Sequence, residues 1–243
     1  MNATKQTPLR EGKSKILYST DSAQHVIQFF KDDATAFNAL KKGTIKNKGP
    51  INNKVSSSIF KYLEKHGIKT HFVSQPSDRE MLCKKVEIIP VEVVVRNRAA
   101  GSICKRLGIE KGNPFSPELV EYFYKSDPLG DPLISEGHIF YFKWATPEEM
   151  QAMMIMSLKV NSLLKSVFDE IGLELIDFKL EFGRLPDGSV VLADEFTPDG
   201  CRLWDKKTGE PMDKDRFRQD LGGVDEAYFE VSQRLQNYFE AHL

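Results

Sequence analysis

Leu175-Ile176-Asp177-Phe178-Lys179-Leu180-Glu181-Phe182-Gly183 alternates apolar and charged residues, and Arg184-Leu185-Pro186-Asp187-Gly188-Ser189 and Val190-Val191-Leu192-Ala193-Asp194-Glu195-Phe196 follow it directly. A period of two is the signature of a β-strand, so Ile176, Phe178, Leu180 and Phe182 fall on one face and Asp177, Lys179 and Glu181 on the other. Pro186-Asp187-Gly188 is a turn signal, and the apolar run after it reads as the returning strand of a hairpin. With Asp187-Gly188 as a two-residue loop, counting back sets Glu181 opposite Asp194. Two carboxylates so placed repel unless a cation sits between them. A hard cation such as Mg²⁺, which takes one or two carboxylates together with substrate phosphates, resolves the conflict.

Upstream, Ile88–Val95 is apolar except for Glu92 and reads as a strand buried on both faces. It runs into Arg96-Asn97-Arg98-Ala99-Ala100-Gly101-Ser102, where small residues allow close backbone approach and Ser102 is placed to cap a short helix ending at Gly108. A helix start, a hydroxyl and Arg96 together suit a phosphate group. Thr197–Trp204 returns Arg202 to the same neighbourhood. Asp213–Arg218 adds charge at another helix start, where a surface salt-bridge network is as good a reading as function.

The clearest helix opens at Thr146-Pro147-Glu148-Glu149, a capping box with proline at the first helical position. Met150, Met153, Ser157, Val160, Leu164, Val167 and Ile171 keep helical spacing up to Gly172 and form a core face rather than a cofactor contact. A final helix covers about Val224–Phe239. Ser116-Pro117 reads as one more helix start. Toward the N-terminus, Ile16–Tyr18, Val26–Phe30, Thr70–Val73 and Met81–Val86 read as strands. Lys41–Pro50 reads as a glycine-rich basic loop, with Asn52 or Asn53 capping the helix that follows it. Helices and strands mix without βαβ alternation, which makes the class α+β. Residues 1–86 form a small β-rich lobe and residues 87–243 a larger one.

The 243 residues carry 34 basic and 35 acidic side chains, a balance unlike that of proteins living on the phosphate field of nucleic acid. The 3 cysteines form no C-x-x-C pair, and the 5 histidines form no H-E-x-x-H arrangement, so disulfide frameworks and zinc sites are not indicated. No window is long and apolar enough for a membrane span, and the polar N-terminus lacks a signal peptide's apolar stretch. A cytoplasmic location is the expectation. Gly12-Lys13-Ser14 fails as a P-loop because the first glycine of that motif falls at Thr7.

Ile88–Ser102 (IIPVEVVVRNRAAGS) and Leu175–Gly183 (LIDFKLEFG) resemble the two signature segments of the phosphoribosylaminoimidazole-succinocarboxamide synthase (SAICAR synthetase) family. The resemblance extends over Arg10–Lys15, Lys46–Asn53, Ala193–Asp205 and Asp213–Gly223 in the same order. It implies a two-lobed fold related to protein kinases and ATP-grasp enzymes, with nucleotide between the lobes. The implied reaction joins carboxyaminoimidazole ribonucleotide (CAIR) to L-aspartate with conversion of ATP to ADP and phosphate. The length matches the short single-activity form. By position, Lys13, Lys15 and Lys84 then contact ATP, and Glu181 and Asp194 hold Mg²⁺. Arg96, Ser102 and Arg202 form the substrate phosphate site, and Asp177, Lys179 and Arg218 face the imidazole substrate or the incoming aspartate. No role is transferred to the loop around Ala34–Gly49, and a homo-oligomer is left open. A small-molecule kinase and a non-catalytic nucleotide-binding module remain alternative readings; a requirement for aspartate separates them from the ligase.

Overall fold

The computed structural model describes residues 3–36 and 41–242. In chain order it contains β1 (Lys5–Glu11), β2 (Lys15–Thr20), β3 (His25–Phe30), β4 (Asp33–Ala36), β5 (Lys41–Thr44), α1 (Lys48–Lys65), β6 (Phe72–Ser77) and β7 (Glu80–Lys84). These are followed by β8 (Glu87–Arg98), α2 (Ser102–Leu107), β9 (Pro114–Tyr124), a 3-10 turn at Asp127–Leu129, β10 (Leu133–Ile134) and α3 (Glu136–Tyr141). The chain continues through α4 (Pro147–Glu170), β11 (Leu173–Arg184), β12 (Val190–Ala193), β13 (Cys201–Asp205), α5 (Asp215–Arg218) and α6 (Val224–His242).

Two larger sheets organise the molecule. The first runs β1-β2-β3-β7-β6 and the second β10-β9-β8-β11-β12, with β13 also pairing β11. The mixture of antiparallel sheets and helices is the α+β class. β8 and β11 lie at the centre of the second sheet, and each buries an apolar face, with Val91, Val93, Val95, Ile176, Phe178, Leu180 and Phe182 all buried, while Glu92, Arg96, Asp177 and Glu181 are charged residues buried on the other. α4 covers this sheet. Thr146 Oγ1 accepts from the Glu149 N–H at 3.2 Å and Glu149 Oε2 accepts from the Thr146 N–H at 2.8 Å, closing the capping box. Met150, Met153, Ser157, Val160, Leu164 and Val167 are its buried face.

β11 is shared along its outer edge. Residues Glu181–Arg184 pair with β12 and Leu173–Phe178 with β13, so Asp194–Gly200 leaves the sheet between the two strands. Lys179 N–H donates to Gly200 O at 2.9 Å where that segment rejoins. A bridge between Thr70 and Leu192 ties the start of β6 to β12, and α1 packs on α6 through Tyr62 and Phe239, whose rings lie 5.5 Å apart. One hydrophobic core therefore runs through both sheets.

Three local expectations are corrected, and one strand went unread. Residues Ser116–Tyr124 belong to strand β9 rather than a helix, because Val120 and Tyr122 pack alternately against the core beside β8. Lys41–Pro50 is not wholly loop: it contains β5 and the first residues of α1. α1 begins at Lys48 with Asn47 as its cap in the left-handed region (φ 59°), so Asn52 and Asn53 are buried inside the helix and do not cap it. β1, a polar strand with every residue exposed at a sheet edge, carries no hydrophobic alternation by which it could be read.

Candidate active site

Between the β1–β2 turn, the β7–β8 junction and β11–β12 lies a cavity of about 400 Å³. Its floor is charged, and β11 places the charges. Glu181 is buried and pairs in register with Ala193, not Asp194. The hairpin loop spans five residues, closed by Leu185 N–H to Ser189 O at 2.9 Å, which shifts the count by one. The carboxylate that does face Glu181 across the sheet is Glu92 of β8. Lys179 Nζ bridges the two acids, at 2.9 Å from Glu92 Oε1 and 2.5 Å from Glu181 Oε1, and Lys125 Nζ adds a contact to Glu181 at 2.8 Å. The like-charge conflict inferred from the sequence is real, but its partner was misassigned and lysines resolve it.

Asp194 reaches the same cavity by another route. It follows the last residue of β12 with φ 61°, a left-handed conformation that a short polar side chain tolerates and a β-branched one does not. Its Oδ1 lies 2.5 Å from Lys15 Nζ on β2, and Glu195 Oε2 lies 3.6 Å from the same ammonium. Burial works against the Lys15 charge, yet Asp194, Glu195 and Glu181 around it hold its pKa above the ordinary lysine range. Burial likewise opposes the Asp194 carboxylate, but Lys15, Lys179 and Lys125 keep it far below the usual range. Burial raises the Glu92 carboxyl despite Lys179. His71, buried on the cavity wall, is pushed down to about 4 by burial and stays neutral.

The other candidate nucleotide contacts lie on the cavity walls. Lys13 Nζ pairs with Asp127 Oδ1 at 2.6 Å across the mouth, and Lys84 Nζ donates to Thr70 O at 3.2 Å without a carboxylate partner among the described residues.

The arginines form a second group. Arg96 is buried, with Nε donating to Glu121 Oε2 at 2.6 Å and Nη1 to Asp177 Oδ2 at 2.7 Å. Arg202 shares Asp177 at 3.0 Å and donates through Nε to Asp215 Oδ2 at 2.9 Å, while Arg218 reaches Asp215 Oδ1 at 2.5 Å. A Cβ on Gly101 would stand 2.4 Å from Arg202 Nη2, so glycine is required where the guanidinium lies on the start of α2. Gly101, with φ 66°, occupies the cap position; Ser102 is the first helical residue, exposed, and its hydroxyl caps nothing. Asp177 and Lys179 are neighbours on one face of β11 yet belong to different groups, the first to the arginines and the second to the carboxylates.

Glu181 and Asp194 each retain an oxygen, Oε2 and Oδ2, that meets no hydrogen-bond donor among the described residues. No cluster of three or more His, Cys, Asp or Glu side chains forms a ready cage for a metal among these residues. Two hard oxygen donors at the edge of a lysine-lined cavity fit Mg²⁺, which keeps waters and shares its shell with substrate phosphates. Several cavity residues went unread in the sequence. Lys125 follows the strand mistaken for a helix, His71 stands in no motif, and Glu195, inside the Ala193–Asp205 segment, was given no role. Glu92 alone carried a signal, as the single charge in an apolar run.

The SAICAR synthetase family model matches residues 8–235. The chain is 57% identical over 235 residues to phosphoribosylaminoimidazole-succinocarboxamide synthase from Novosphingobium aromaticivorans, covering 96% of this chain and 90% of that one. The crystal structure of phosphoribosylaminoimidazole-succinocarboxamide synthase from Ehrlichia chaffeensis superposes with a TM-score of 0.93 at 48% identity, covering 95% of this chain and 98% of the other. A SAICAR synthetase (Type-2) in complex with ADP gives a TM-score of 0.91 at 43% identity, covering 94% and 97%. With its fold, its ordered sequence segments and nearly its whole length matched, this chain belongs to the SAICAR synthetase family.

Proposed function

We propose that this chain, a SAICAR synthetase, activates the carboxylate of carboxyaminoimidazole ribonucleotide with ATP and joins it to the amino group of L-aspartate at the cavity described above. The observation that carries the reading is the set of lysines held charged around a carboxylate floor. Lys15 and Lys179 lie where a polyphosphate would exchange for Asp194 and Glu181 as their partner, and the ADP complex of a family member supports a nucleotide here. Residues 1–86 and 87–243 act as two lobes with the nucleotide between them. Lys13 and Lys84 complete its contacts from the walls.

A substrate carboxylate is a poor electrophile; transfer of the γ-phosphoryl group makes it an acyl phosphate that an amine attacks with loss of phosphate. Lys15 and Lys179 stabilise charge on the transferred group from fixed positions. Glu181 and Asp194 would hold Mg²⁺, which supplies neutralisation of the phosphate oxygens. Arg96, Ser102 and Arg202 receive the ribonucleotide phosphate, and Arg218 and Asp177 orient the substrate beside them. The setting is cytoplasmic, and no helix among the described residues is long and apolar enough to cross a membrane.

The test is an isotope experiment. ¹⁸O in the substrate carboxylate is expected in the released phosphate, with turnover dependent on aspartate. ATP consumption indifferent to aspartate, or phosphate free of label, overturns the mechanism.

A further inference from the structure

Asp213 is wholly buried, and both of its carboxylate oxygens accept from backbone. Oδ2 takes the Leu203 N–H of β13 at 2.8 Å, and Oδ1 takes the Asp215 N–H at the start of α5 at 2.6 Å. Two backbone bonds reinforce the join. Met212 N–H donates to Leu203 O at 2.8 Å, and Arg216 N–H donates to Asp213 O at 3.1 Å. A helix as short as α5 has little stability of its own, so such contacts decide where it sits against β13.

The join carries the arginine side of the site. Arg202 immediately precedes Leu203 on β13, and Asp215 opens α5. Asp215 accepts from Arg202 Nε at 2.9 Å and from Arg218 Nη1 at 2.5 Å, while Arg202 Nη1 also holds Asp177 at 3.0 Å. One end of the Asp213 bridge therefore lies beside Arg202 and the other on Asp215 itself. Arg202 and Arg218 come from different elements, so the distance between their guanidiniums follows the seat of α5 on β13. Misplacing a positioning group by about 1 Å through a change outside the chemistry can cost on the order of a hundredfold in rate.

We propose that Asp213 is a positioning residue for the ribonucleotide: by tying β13 to α5 through two backbone N–H groups it sets the spacing of Arg202 and Arg218, and with it how tightly the substrate is held. This rests on the ligase reading above, in which those arginines receive the ribonucleotide. The tie is also sensitive to protons. Burial pushes the Asp213 carboxyl up to about 7, Asp215 adds to the rise, and the two N–H donors and Arg202 oppose it. Above that pH both oxygens accept; below it one becomes a hydroxyl oxygen, a poorer partner for an N–H. The groups facing Asp213 titrate elsewhere. Burial works against the Asp215 carboxylate, but Arg202 and Arg218 hold it below the usual range. Burial works against the Arg202 charge, but Asp177 and Asp215 hold it up. Burial first, with Asp213 among the contributing acids, keeps the Cys201 thiol and the Tyr228 hydroxyl well above their ordinary ranges. Burial lowers Lys214, next in the chain, and the strongest charge on it is Asp199.

Turnover of the unmodified enzyme that depends on ribonucleotide and aspartate comes first; its absence refutes the ligase reading itself. With turnover established, Asp213→Asn keeps the side chain's shape and one acceptor but sets an N–H donor against the other backbone amide. It is expected to raise the KM for ribonucleotide about tenfold, the worth of one hydrogen bond, with the KM for Mg-ATP within about threefold of wild type. The ratio of wild-type to variant kcat/KM for ribonucleotide, in which the substrate's own titration cancels, is expected to rise about tenfold between about pH 6 and about pH 8. An unchanged ribonucleotide KM, equal rises in both KM values, or a ratio flat across that range overturns the proposal. On the unmodified chain, hydrogen exchange read by NMR is expected to show protection of the Leu203 and Asp215 amides, corrected for intrinsic exchange, falling severalfold over the same range and recovering with saturating ribonucleotide. Protection indifferent to both pH and ribonucleotide refutes the tie even where the variant fails to fold.

Discussion

The two charged groups of the site solve the same problem with different side chains. On the cavity floor, Lys15, Lys125 and Lys179 hold Glu92, Glu181 and Asp194 as point charges on flexible stems. Beside it, Arg96, Arg202 and Arg218 hold Glu121, Asp177 and Asp215 through planar forks, with one carboxylate often shared between two guanidiniums. A lysine gives up one partner for another at small geometric cost, whereas a shared fork fixes both ends. On the function proposed above, the difference is a division of labour, with the lysine side suited to exchange carboxylate for phosphate and the arginine side suited to fixed positioning.

The strongest way to break this contrast is at the carboxylates of the floor. Glu181→Gln and Asp194→Asn are each expected to lower kcat a hundredfold or more, on the order of losing one transition-state contact, and to weaken Mg-ATP binding by calorimetry while leaving the circular dichroism spectrum unchanged. Near-normal activity in both variants removes the metal role. Next comes Arg96→Met, which removes the buried guanidinium between Glu121 and Asp177 and leaves them to Arg106 and Arg202 alone; urea unfolding is expected to show a loss of about 3 kcal/mol. Lys125→Met leaves Glu181 paired to Lys179 and is expected to cost less than about 1 kcal/mol. Equal losses in the two would erase the distinction between a standing and an exchanging side.

Acid sharpens the lysine side further. His71 titrates near 4 in the folded protein, below its ordinary value, so the folded state declines a proton that the unfolded chain accepts. Its stabilisation is therefore complete above about pH 6.5 and drains away as pH falls toward 4, by on the order of 3 kcal/mol. Urea titrations across that window are expected to show this slope in the wild type and a shallower one in His71→Phe. The smallest effect is expected at Lys13→Met. Its pair with Asp127 is largely exposed, so stability is expected to move by less than about 1 kcal/mol while the KM for Mg-ATP rises severalfold.

What could be read from the sequence was what local chemistry decides. The Thr146–Glu149 capping box and the alternation from Leu175 to Gly183 each carry their instruction within a few residues, and both appear as expected. The pairing of Glu181 with Asp194 failed by one position because loop length is set by how Leu185 and Ser189 close the turn, which no residue type dictates. Asp194 still reached the cavity, through a backbone conformation that period-two counting ignores. Lys48 and Lys125 stayed unread for a different reason. Their meaning comes from partners far along the chain, and nothing local separates a lysine that faces a buried carboxylate from one that faces water. Ser116-Pro117 misled because proline after serine is as compatible with a strand entry as with a helix start.

The last helix has a consequence for when the enzyme becomes an enzyme. Tyr228 on α6 supplies the hydroxyl that anchors Asp199, Gln236 Nε2 donates to Ser58 Oγ at 3.3 Å, and Lys65 Nζ donates to His242 O at 3.0 Å. α6 emerges from the ribosome after every other element described above, so a nascent chain holds the signature strands long before Tyr228 reaches Asp199. Early termination anywhere before Val224 is expected to leave a chain with its signature strands intact and Asp199 without its Tyr228 partner.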